Sequence, residues 1–260
     1  MLSLSCLEEH LLVGTKQGAY TFLFGGEMMI DWFKQIKWEH LYDPELAWNS
    51  LPFLLEGLKI TMIIALFSMF FALILGIFLG IARMSKFWFL RWPARIYISF
   101  MRGTPLLVFI FILYYGVPVL GVQFSSAIVA GIVGISLNFA AYNAEVVRSA
   151  IMSVPRGQWE AAASLQMNYV QTLRRIIIPQ ATRIALPPTF NIFMDIVKGT
   201  SLASVITVQE LLYSSRLVAG RTFDSMTMYI TAALIYWIVC IVIGHFQERL
   251  EKRYNRYLNK

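Results

Sequence analysis

The 260-residue chain is 58% hydrophobic and only 14% charged, with a mean hydropathy of +0.62, whereas a soluble domain has about a quarter of its residues charged. These values exclude an ordinary soluble enzyme and indicate an all-α integral membrane protein, with room for five or six spans of ~20 residues. The net charge of +7 does not indicate nucleic acid, because the Lys and Arg residues lie beside apolar spans and no recognition motif accompanies them.

Residues 1–50 form a mixed, extracytoplasmic segment in which Glu8, Glu9, Glu27, Asp31, Glu39, Asp43 and Glu45 outnumber Lys16, Lys34 and Lys37. It has no basic stretch followed by an apolar core, so a cleavable signal peptide is not expected. Leu54 to Ala82 is the first predicted span, with Lys59 close enough to its start to snorkel outward. Gly76 and Gly80 make a small-xxx-small pair suited to close helix packing. Arg83, Lys86, Arg91, Arg95 and Arg102 follow, which places this side in the cytoplasm by the positive-inside rule.

The second span is predicted from about Thr104 to Val119, and its exit, Gly116 to Ser126, lacks Lys and Arg and so faces outward. Ser126 to Val147 is the third, with Asn138, Tyr142, Asn143 and Glu145 towards its inner half. Polar groups at membrane depth face a cavity or a partner. Glu145 and Arg148 are three apart and form a simple pair on one helix face. Asn138 and Tyr142 are four apart, and either line a pathway or bond helix to helix.

The segment Gly157 to Pro188 is the longest charged stretch between apolar spans. Glu160 to Leu165 is a run of helix formers with its acid in the first turn. Asn168 is a breaker, a second short helix runs over Thr172 to Ile178, and Pro179 stops or kinks it by removing a backbone donor. Arg148, Arg156, Arg174, Arg175 and Arg183 make this loop cytoplasmic. The fourth span, about Thr182 to Ile206, is interrupted at Pro187-Pro188 and Gly199, and carries a buried pair, Asp195 with Lys198. Broken helices are tolerated where they line a cavity. Asp195, Lys198, Thr200 and Ser201 are therefore pathway candidates, against a purely structural kink. Gln209 to Ser225 reads as an external amphipathic gating helix with sparse opposing charges, Glu210 among them. Thr227 to Phe246 is the last span, and Arg249, Lys252, Arg253, Arg256 and Lys260 form a basic cytoplasmic tail over 249–260. Five spans with the N-terminus outside and the C-terminus inside follow from charge alone.

The loop pattern resembles the EAA loop of the membrane subunits of ATP-binding-cassette importers: Glu160, Ala161 and Ala162, a position six after the Glu, then Ile176, Ile178 and Pro179. That sixth position is normally Gly and here is Gln166, so the turn is expected to be made otherwise, at Asn168. Three further blocks, Ser99 to Pro118 (SFMRGTPLLVFIFILYYGVP), Asn138 to Trp159 and Lys198 to Leu212, are similar to the polar amino-acid branch of that family, in its order. The resemblance implies a permease domain over 51–248 with its EAA loop at 157–188, in a bacterial inner membrane. It also implies that Gly157, Glu160, Ala161, Ala162, Gln166 and Pro179 couple to an ATPase. Its implied partners are two ATP-binding subunits, a second permease copy or paralogue, an extracytoplasmic amino-acid-binding protein and membrane lipid.

Family members usually begin shortly before the first span, so residues 1–27 look surplus. Gly25-Gly26-Glu27-Met28-Met29 is what an in-frame purine-rich ribosome-binding site would encode, which makes Met28 or Met29 an alternative start. The competing reading is an amphipathic extension on the outer surface.

No G-x-x-x-x-G-K-[ST] and no catalytic constellation occur. The chain is thus expected to be a non-catalytic subunit without a cofactor of its own, with ATP and Mg on a partner. Cys6, Cys240 and the three His residues have neither disulfide nor metal-ligand spacing. The substrate expected within this branch is cystine or a basic amino acid. The alternative is an ion-coupled secondary transporter using Glu145, Asp195 and Lys198. It predicts a chain active alone, and lacks the internal repeat such folds commonly show.

Overall fold

A computed structural model of the chain describes residues 41–255, and these form helices only. Residues 1–27 and the alternative start at Met28 or Met29 lie outside the described residues. Three helices are long and apolar enough to cross a membrane: α1 (Pro44–Met84), α4 (Ala127–Met152) and α9 (Ser225–Asn255). Two bent pairs bring the number of spans up to five. In the first pair α2 (Trp88–Gly103) meets Leu106–Leu120 at 108°. The second segment begins as α3 (Leu106–Phe111) and ends in one π turn and one 3-10 turn. The residues before Thr104 are therefore a complete helix of their own. The bend falls at Gly103-Thr104-Pro105, where proline biases Thr104 to the extended conformation seen there (ψ 131°).

The side chains of α1 explain how it sits. Its buried face is a stripe of mostly small residues at helical spacing, Ser50, Gly57, Thr61, Ala65, Ser68, Ala72, Gly76 and Gly80. Its outer face carries Phe67, Phe70, Phe71 and Phe78, all about half exposed. Large residues outside and small ones inside are the pattern of a helix that faces hydrocarbon and packs by backbone proximity. A Cβ on Gly76 would lie 2.5 Å from the Asn143 Cβ, and one on Gly80 would lie 2.9 Å from the Ala144 carbonyl oxygen. The glycine pair is thus where α1 closes on α4.

The loop after α4 differs from its expected form in an instructive way. Helix α5 (Arg156–Ser164) starts four residues before Glu160 and is capped at Leu165. Gln166 itself takes the left-handed conformation (φ 54°), and the turn is a Schellman motif, with Gln166 N–H donating to Ala163 O (2.9 Å) and Met167 N–H to Ala162 O (3.1 Å). The position that follows the C-cap is where glycine is favoured, so Gln166 performs glycine's task at a cost of about 1 kcal/mol. Asn168 does not make the turn. It caps the next helix, α6 (Tyr169–Thr172), in a capping box with Gln171. Replacing Gln166 with Gly is expected to raise the thermal midpoint of the chain in detergent, and an unchanged or lower midpoint would contradict the strain.

The second short helix is not separate either. From Tyr169 the chain passes through a single π turn (Leu173–Ile177) into α7 (Ile178–Gly199). Pro179 lies directly after the π turn, where the ladder is already shifted by one residue, and does not stop the helix. Pro187 and Pro188 are likewise inside α7 and do not break it. After Gly199 the helix tightens into a 3-10 stretch (Thr200–Ile206) without a break, and the 51° bend falls at residues 207–210, before α8 (Leu211–Thr222). The last helix, α9, runs past Phe246 to Asn255, so Arg249, Lys252 and Arg253 of the basic tail continue the same helix. Ile64, Ala65, Ile135, Ile196, Val197, Ala203 and Ile206 make the central core.

Candidate functional site

Helix α5 is held against the bundle by a small apolar cluster. Val154, Ala150, Ile177 and Ala181 are buried together, with Trp159, Leu173 and Ile176 packed on them. Trp159 stacks on Tyr169 across the turn, with centroids 6.1 Å apart. Gln180 donates to Gln158 Oε1 at 3.2 Å, tying the start of α7 to the start of α5. Within the helix the two alanines divide: Ala162 is fully buried, whereas Glu160, Ala161 and Gly157 are exposed. Nothing lies within 4 Å of a Cβ built on Gly157, so the first turn offers open backbone. At the other end of α5 and past the turn, Leu165, Tyr169 and Val170 are each exposed by 68% or more. Exposed apolar residues together with an exposed acid on an anchored helix have the character of a docking face.

The pathway candidates separate into four places. Asp195 and Lys198 form an ion pair of 2.8 Å, but their side chains are 57% and 58% exposed, so the pair is not buried within the chain. It faces an open groove of about 590 Å³ between α7 and α9, lined also by Asn191, Ser201, Tyr236, Trp237 and Cys240. Thr200 turns away, fully buried with its hydroxyl donating to Val197 O. Asn138 is buried and donates to Met101 O (2.9 Å), bonding α4 to α2. Tyr142 lies with Arg83, Arg95 and Arg102 in a separate basic pocket. The sequence reading missed the wall of the groove on α9. Its only signal was Tyr236, Trp237 and Cys240 at helical spacing, and it means nothing until α9 is known to lie beside α7.

Two acids prove more connected than their spacing suggested. Glu145 pairs not only with Arg148 (3.2 Å) but also with Arg83 from α1, and Arg102 from α2 approaches to 3.9 Å. Three helices therefore converge on one carboxylate. Glu210 is not a surface charge at all: it is fully buried. Its carboxylate accepts from Tyr236 Oη (2.6 Å), Thr61 Oγ1 (3.4 Å) and Tyr213 N–H (2.8 Å), capping α8 while holding α1 and α9 to it.

The family pattern described as binding-protein-dependent transport system inner membrane component matches residues 72–256. A probable amino-acid ABC transporter permease protein, YckA of Bacillus subtilis (strain 168), is 52% identical over 223 residues, 86% of this chain and 98% of that one. The L-cystine transport system permease protein TcyB of the same organism is 42% identical over 213 residues, 80% of this chain and 89% of that one. Among solved structures, an amino acid ABC transporter crystallised with histidines superposes with a TM-score of 0.75 at 31% identity, covering 79% of this chain and 95% of that one. A multi-pass helical chain with an EAA-type loop, matched over most of its length by these proteins, belongs to the binding-protein-dependent transport system inner membrane components, as an ABC importer permease of the polar amino-acid branch in the bacterial inner membrane.

Proposed function

We propose that this permease forms the pathway for a polar amino acid, is driven through α5 by separate ATPase subunits, and takes its substrate from an extracytoplasmic binding protein. The observation that carries this reading is α7. It runs unbroken from the turn bonded to α5 to the Asp195–Lys198 pair at the groove. A helix of 22 residues spans about 33 Å at 1.5 Å per residue. A push on α5 therefore reaches the groove as a rigid-body movement of one rod.

The groove suits an amino acid chemically. Asp195 offers a carboxylate to an α-ammonium group, Lys198 an ammonium to an α-carboxylate, and Tyr236 and Trp237 an apolar wall. Such a site in an open groove calls for a second permease, identical or paralogous, to cover it. The branch contains a relative named for L-cystine, and cystine or a basic amino acid is the substrate we favour. The arginine-rich ends at Arg83–Arg102, at Arg148–Arg183 and after Phe246 support a coupling loop and C-terminus in the cytoplasm and an N-terminus outside.

Purification from native membrane in mild detergent tests the assignment. A co-purifying ATPase is expected, with hydrolysis stimulated by a binding protein loaded with cystine or a basic amino acid. A chain that comes down alone and still moves solute after reconstitution would replace this reading with an ion-coupled secondary transporter.

A further inference from the structure

A second site lies at the arginine-rich end of the bundle, away from the groove. Arg83, Arg95, Ser99, Arg102 and Tyr142 line a pocket of about 420 Å³. Arg102 stands over the Tyr142 ring at 5.6 Å from its centroid. Glu145 is the sole carboxylate among the described residues that pairs here, and Arg83, Arg102 and Arg148 already share it. Arg95 lines the pocket without an ion pair among the described residues, so the cluster holds four guanidinium groups to one carboxylate, an excess of three positive charges. One turn before Arg95, the Arg91 Nε is buried with no hydrogen-bond partner. An excess of donors and positive charge of this kind calls for an anion.

The helix that supplies most of these arginines identifies the source of the anion. Trp88, Trp92, Ile96 and Phe100 recur every four residues along α2, and each is more than half exposed. Ala94, Ile98 and Met101 form its buried face. At 100° per residue, Arg91, Arg95 and Arg102 fall on the border between the two. The 108° bend before Leu106 sets α2 close to the membrane plane when the following segment crosses the bilayer. Aromatic residues on one face and arginines at its edge are the composition of a helix lying in the headgroup region, and basic pockets between helices there hold anionic headgroups.

We propose that the Arg83–Arg95–Arg102 pocket binds the phosphate of an anionic phospholipid, whose acyl chains run along the exposed apolar face of α2. The site does not depend on the transport assignment. It predicts that anionic lipid stays with the chain when bulk lipid is removed.

The test uses the full chain, with whatever subunits accompany it, in phosphatidylcholine nanodiscs titrated with phosphatidylglycerol, and counts retained lipid by native mass spectrometry. Wild type is expected to retain phosphatidylglycerol over phosphatidylcholine. Arg95→Gln should weaken that retention about fivefold, the effect of one surface charge, and Arg95→Lys should restore it. Arg95 is exposed and makes no ion pair among the described residues, so Arg95→Gln should melt as wild type does. Equal retention by wild type and Arg95→Gln, or no preference for the anionic lipid, would overturn the proposal. So would displacement of the lipid by inorganic phosphate at matched concentration, which would make this a site for a free anion.

Discussion

Substituting Lys for Glu160 is expected to abolish uptake while the chain still inserts and folds. Glu160 is exposed on a helix whose other side is pinned by Trp159, Val154 and the Gln158–Gln180 hydrogen bond, so the substitution leaves the bundle's packing untouched. Its effect falls on whatever docks there. Reversing a charge within a docked interface costs several kcal/mol, enough for a loss well beyond tenfold in coupled transport. The reading should be split: ATPase activity of the complex would survive but no longer rise with loaded binding protein, and the melting temperature of the permease would stay put. Wild-type uptake by Glu160→Lys would remove α5 from the coupling role. A collapse in expression would instead make Glu160 part of the fold, contrary to its exposure.

Glu145→Ala should act in the opposite way, through the fold itself. The Glu145 carboxylate sits among Arg83, Arg102 and Arg148, drawn from three helices. Without it three guanidinium groups face one another at a partly buried site, and stranding charges in this way costs about 3 kcal/mol. That is a large share of the stability of most proteins. The expected result is a chain that aggregates in detergent or melts far below wild type. Because the loss comes from uncompensated charge, Arg83→Ala added to Glu145→Ala should recover part of it. Wild-type melting by the single variant, or no recovery in the double, would show that the cluster is ornamental. The same experiment bears on the gap between α1 and α4, since the glycine contacts at Gly76 and Gly80 lie on the same pair of helices.

The differences between expected and observed elements share a physical pattern. Proline was read as a breaker at Pro179, Pro187 and Pro188, yet all three lie inside α7. Pro179 follows a π turn that already shifts the hydrogen-bond ladder, and within a membrane helix the carbonyls freed by proline are satisfied by neighbouring groups. Gln166 was expected to pass the turn to Asn168, but the Schellman bonds at Ala162 and Ala163 place the left-handed residue by counting from the helix end, not by residue preference. Glu210 was read as one of the sparse opposing charges of an external amphipathic helix. Two of its three donors, Thr61 and Tyr236, lie on helices distant in sequence, and the third, Tyr213, is in the first turn of the helix that Glu210 caps.

What the sequence by itself determined is whatever one helix can express alone. Apolar length set the spans, the clustering of Arg and Lys marked one end of them, and the run from Glu160 to Pro179 marked the loop and its family. Each of these depends on hydrophobicity, charge or motif spacing along a single stretch. Only the tertiary structure decided which side chains meet: Glu145 with Arg83 and Arg102, Asp195 and Lys198 with Tyr236 and Trp237, Asn138 with Met101. The reason is that these contacts join residues on different helices. Helix periodicity fixes which residues share a face, but which face turns to which neighbour follows from small-residue packing between helices, as at Gly76 and Gly80 against α4. That choice is made by the fit of whole surfaces, and no single stretch contains it.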